Sequence, residues 1–171
     1  MLRLAKAFLD IAIWRQTPEH LPASVLLLMM TAVAAALMEV MGALLPPPPN
    51  GQIALRIVLE VGMPLVFTWL LLSVTRRRER FLQTAAALLG VGALAELALY
   101  PLNSVLQSMG KENPAGLPIG ILFMSILVGY LLACAHIWRS ALGSGILLGL
   151  IISFGYFTVS EGIERQVLLQ S

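Results

Sequence analysis

The stretch IALRIVLEVGMPLVFTWLLLSVTRRRER, Ile53 to Arg80, decides how the chain is read. Its apolar run is long enough to cross a ~30 Å hydrocarbon core. It ends on the cluster Arg76-Arg77-Arg78-Glu79-Arg80, the kind of charge that fixes which way a span points. Near its other end Arg56 and Glu60 stand one helical turn apart, inside the apolar segment. Pro64, soon after Gly62, predicts a kink near the middle.

Composition extends this reading to the whole chain. Its 171 residues are 58% hydrophobic and 12% charged, with a mean hydropathy of +0.88. Soluble domains are typically about 45–50% apolar and ~25% charged. So little polar surface cannot coat a water-soluble globule, and the bilayer is expected to solvate much of the protein. The net charge of +2 sits in clusters at helix ends, so it reads as topogenic rather than as a nucleic-acid footprint, and no nucleic-acid partner is expected.

Five spans follow within a single membrane domain, 1–171: about 23–45, 53–75, 81–100, 119–138 and 142–160. The fold class is an all-α, polytopic membrane helix bundle. Before it, residues 1–17 place Arg3, Lys6 and Asp10 within about 60° of one another at roughly 100° per residue, with apolar side chains around them. This predicts an amphipathic helix lying in the interface, with Trp14 at headgroup level and Lys6 and Asp10 spaced to pair. Asp10 and Arg15 interrupt the apolar run, and no A-x-A-like site follows, so the segment is expected to be retained rather than cleaved. Pro18 and Pro22 break that helix. Pro46 to Pro49 with Asn50-Gly51 predict a stiff spacer and turn between spans one and two.

Basic residues in the connections set the orientation. Arg3, Lys6, Arg15, Arg76, Arg77, Arg78, Arg80 and Arg139 fall on one side, and Lys111 and Arg165 on the other. The first side is expected to be cytoplasmic, which leaves the C-terminus outside, in a bacterial inner membrane.

Charges inside hydrocarbon cost roughly 2.5–3.5 kcal/mol each on insertion scales, and they usually face the bundle interior. At a rise of ~1.5 Å per residue, Glu39 lies ~8 Å inside the outer end of span one. By the same count Arg56 and Glu60 lie ~5 and ~10 Å inside span two, and Glu96 lies ~6 Å before Tyr100 in span three. Glu39, Arg56, Glu60 and Glu96 are therefore expected to share one level, and Tyr100, Asn103, Tyr156 and Ser160 are the candidates to join them. One reading is a charge-neutralising knot in which Arg56 bridges Glu60 on its own helix and Glu39 or Glu96 from a neighbour. The other is a site open to the outside, whose surplus of carboxylates binds protons or a hard cation, which they suit better than zinc.

Other chemistry is thinly represented. Cys134 is the single cysteine, which excludes an intrachain disulfide, and no zinc spacing accompanies it. No metalloprotease, nucleophile-elbow, phosphate-loop or dinucleotide motif is present, so no enzyme and no cofactor are expected. His136, beside Trp138 and Arg139, reads as a solvated anchor at the boundary, and His20 reads alike. Gly145, Gly149 and Ser153 repeat every fourth residue along span five. Such a ridge permits close helix contact, either within the bundle or with a membrane-protein partner or second copy.

With this architecture in view, LDIAIWRQTPEHLPAS (Leu9 to Ser24) and HIWRSALGSGILLGL (His136 to Leu150) are similar to segments of the small bacterial relatives of the Yip family. The resemblance implies five spans, a cytoplasmic N-terminus and an unassigned membrane role, and it carries over no catalytic residue. The leading expectation is a non-enzymatic, membrane-organising or assembly-partner protein in contact with lipid. The alternative is a small transporter or channel-like protein using the glutamate and arginine cluster.

Overall fold

In the computed structural model, residues 2–43, 53–109 and 116–170 are described, and they form α-helices and short 3-10 turns. The helices are α1 (Leu2–Ala12), α2 (Val25–Ala43), α3 (Ile53–Val74), α4 (Phe81–Ser108), α5 (Gly116–Leu142) and α6 (Ile146–Gln170). All but α1 are long and apolar enough to cross a membrane. The expected spacer at Pro46–Gly51 and the end of span one at residues 44–45 lie outside the described residues, as does most of the loop beginning at Lys111.

The bundle is built around α4. From Thr84 to Ala93 every residue is buried, and most of the run is alanine or glycine, small enough for neighbours to close in on all sides. Helices α2, α3 and α5 pack on α4, and α6 packs mainly on α5. The chain passes up and down, so the N-terminal segment, the α3–α4 junction and the α5–α6 turn share one end, here the arginine end. The last residues of α2, α4 and α6 and the first of α3 and α5 share the other, the glutamate end.

Two helices overrun the expected spans. Helix α4 continues through Pro101 to Ser108, and α6 begins at Ile146 and runs through Glu161 to Gln170 instead of ending near residue 160. At ~1.5 Å per residue the 28 residues of α4 measure about 42 Å, longer than a ~30 Å core. Helix α3 is unbroken across Pro64, which has no N–H to give to the Glu60 carbonyl one turn earlier.

The amphipathic α1 does more than rest on a surface. Phe8 and Ile11 are buried in the core shared with α4 and α5, while Leu9, Ile13 and Trp14 stay exposed. A Cβ at Gly90 would lie 2.6 Å from the Phe8 ring, so only glycine admits α1 this closely to α4. Trp14, at φ 65, ends the helix in the left-handed region and stacks on His136 at 5.2 Å between ring centroids. Among the described residues Lys6 and Asp10 form no ion pair.

The small-residue ridge of α6 is used inside the bundle. A Cβ at Gly149 would lie only 2.3 Å from the Ala135 carbonyl oxygen, and Ser153 is buried. Those two positions are therefore taken by α5 and closed to a second copy, whereas Gly145 faces open space.

An acidic cavity at the glutamate end

Helices α2 and α4 run parallel, and the ring of Tyr100 lies against Gly42, where a larger residue would block it. That placement delivers the Tyr100 hydroxyl to Glu39, where it donates to Oε2 at 2.6 Å. Arg56 on α3 approaches the other oxygen of the same carboxylate, Nη1 to Oε1 at 3.6 Å. Glu39 is thus buried with both oxygens engaged, which is how a carboxylate is tolerated at such depth.

Glu60 pairs differently. Arg56 does not bridge it at i,i+4; its carboxyl group instead meets that of Glu96 on α4 in a side-chain hydrogen bond. An ionised carboxylate only accepts hydrogen bonds, so this contact requires a proton on one of the two groups. Glu96 Oε2 and Arg56 Nε are buried without a protein partner. The Glu60 backbone carbonyl, freed by Pro64, adds another acceptor on the same turn.

Two cavities open on these groups. One of about 430 Å³ is lined by Glu39, Arg56, Glu60, Tyr100, Asn103, Tyr156 and Ser160 together with Glu161 and Glu164. The second, about 180 Å³, is lined by Glu60, Glu96, Tyr130, Tyr156 and Ser160, again with Glu161 and Glu164. Glu60 and the α6 residues belong to both. The eight residues singled out in the sequence are thereby brought to one end of the bundle, around two adjoining spaces.

Glu161 and Glu164 had been read as part of a tail, because span five was ended at residue 160. The missed signal is the four-residue spacing of Tyr156, Ser160 and Glu164, which puts all three on one face of a continuing helix. Arg165 turns away, exposed and paired with Glu161 at 2.9 Å. Among the described residues, no three His, Cys, Asp or Glu side chains converge closely enough to hold a metal ion. The space suits protons, water or a cation wider than a bare metal ion.

The histidines fall elsewhere. His136 is buried rather than solvated, because α1 and the segment after it close over α5; its Nε2 lies 3.0 Å from the Gln16 carbonyl oxygen. His20 is exposed in the turn Pro18–His20, and Cys134 is buried in the core as a packing residue.

Comparison with protein-family models, with curated proteins and with solved structures finds no match for this chain.

Proposed function

We propose that this chain is a non-enzymatic, multi-pass membrane carrier that takes up protons, or a small cation exchanged for a proton, through the acidic cavity of its glutamate end. The observation that carries this reading is the Glu60–Glu96 contact. It is a carboxyl pair from two different spans, it needs a proton to exist, and it borders both cavities. Glu39 is neutralised by Arg56 and Tyr100, so the exchangeable charge falls to Glu60, Glu96 and the α6 carboxylates.

The basic residues of the arginine end place that face in the cytoplasm of a bacterial inner membrane and the cavity toward the outside. The similarity to the Yip family, proposed from hydropathy and two segments, fits the same five-span plan.

Reconstitution into liposomes loaded with a pH-sensitive dye tests the reading. Glu60→Gln is expected to abolish proton flux while the purified protein keeps its thermal transition. Undiminished flux in the variant refutes the carrier reading.

A second reading, a membrane-organising or assembly partner, is favoured by Gly155 and Gly162, which leave an open strip along the outer side of α6. It predicts a defined stoichiometric partner in mild-detergent pull-downs. Repeated recovery of the lone chain counts against it.

A further inference from the structure

Hydroxyl groups in membrane helices ordinarily return their proton to a carbonyl one turn back, since nothing else at that depth accepts it. Thr31, Thr75, Thr84, Ser125 and Thr158 all do so here. Thr68 on α3 and Ser153 on α6 do not. Both are essentially inaccessible, at 0% and 2% exposure, and neither hydroxyl has a protein partner. The indole N–H of Trp138 on α5, a residue 1% exposed, is also without a partner.

These three groups share a level. Thr68 lies two turns beyond Glu60 along one face of α3, and Trp138 two turns beyond Tyr130 on α5, each about 12 Å inward. Ser153 stands seven residues before Ser160 on α6, about 10 Å inward by the same rise. Glu60, Tyr130 and Ser160 all line the smaller acidic cavity. Phe67, the neighbour of Thr68, touches both the Trp138 ring at 5.6 Å and the Tyr156 ring at 5.0 Å, which ties the three helices together at this height. Between the two levels a void of about 10 Å³ borders Glu60, Pro64, Tyr130 and Tyr156, close to the room one water needs.

We propose that Thr68, Ser153 and Trp138 enclose an interior water site, the inner end of a proton path that begins at Glu60 and Glu96. Water is the ligand that fits, because it accepts from the indole N–H and both donates to and accepts from the two hydroxyls. No bond is made or broken along such a file except the passing of a proton from oxygen to oxygen. Below the site Leu72, Ala141 and Leu142 form a dry cluster, so access is from the glutamate end alone.

The path rests on the carrier reading; the water site does not. The near-isosteric variants Thr68→Val and Ser153→Ala separate the two. A hydrated site loses a partner in each, so the thermal midpoint is expected to fall by about 2–4 °C. A dry site is relieved of an unsatisfied polar group, and an unchanged or raised midpoint overturns the proposal. Proton flux is expected to drop roughly tenfold in both variants. A lowered midpoint with full flux, where Glu60→Gln abolishes flux, overturns the path and leaves the carrier reading intact. Flux that survives Glu60→Gln overturns the carrier reading and the path with it, while the midpoints still decide the water site.

Discussion

At the arginine end, Arg80 donates to Glu19 at 2.6 Å and to the Ser140 carbonyl at 2.7 Å, and Gln83 donates to the Leu21 carbonyl at 2.7 Å. These contacts knit the N-terminal segment, the start of α4 and the α5–α6 turn above a fully packed layer of Ile11, Ile137 and Trp138. At the glutamate end, charged and hydroxyl side chains face about 430 Å³ of open space, and several of their polar atoms have no protein partner. Stability is concentrated where apolar side chains interlock and backbone groups are satisfied. Capacity for chemistry is concentrated where they are not. The polar contacts of the first end close the bundle; those of the second end hold a charge in place beside a space.

That contrast can be broken most directly at Ile11. If α1 only lay on the interface, truncation would cost little. As a fully buried part of the core, Ile11→Ala is expected to destabilise the protein by about 2–5 kcal/mol, read as a lowered midpoint of thermal unfolding in detergent. A change within experimental scatter would return α1 to a surface role and erase the packed layer from the comparison.

A smaller effect is expected at the glutamate end from Tyr100→Phe. It removes the donor to Glu39 Oε2 and leaves Arg56 as the remaining partner of a buried carboxylate. A loss of roughly 1.5–3 kcal/mol is expected in the same unfolding measurement, the range for hydrogen bonds to charged groups. Equal stability of the variant and the parent would mean that Glu39 does not depend on Tyr100 for its burial.

The smallest effect belongs to Glu19→Gln. The Arg80–Glu19 pair is short but partly solvated, with the two side chains 32% and 50% exposed, so its loss is expected to cost at most about 1 kcal/mol. Added salt should shift the parent slightly and leave the variant alone, because exposed ion pairs are screened. A larger cost would show that this clasp, rather than the apolar layer beneath it, holds the end together.

Much of the plan was legible from the residues in order. The apolar lengths, the arginine cluster and the short turn after Arg139 gave five helices long enough to cross a bilayer. The constant rise of a helix put Glu39, Arg56, Glu60 and Glu96 near one height. Helix ends were read less well: Ser160 looked like the end of a span because Glu161 and Glu164 are charged, yet the helix continues and brings both into the cavity. His136 looked solvated from its basic and aromatic neighbours, but a segment 120 residues earlier covers it.

The sequence by itself determined depth, because apolar length and rise per residue are properties of one helix at a time. Only the tertiary structure decided partners: Glu39 with Arg56 and Tyr100, Glu60 with Glu96, Gly149 against α5 rather than against a second copy. Partnership depends on how each helix is rotated about its own axis, and that rotation is set by packing between helices, which no single stretch of sequence contains.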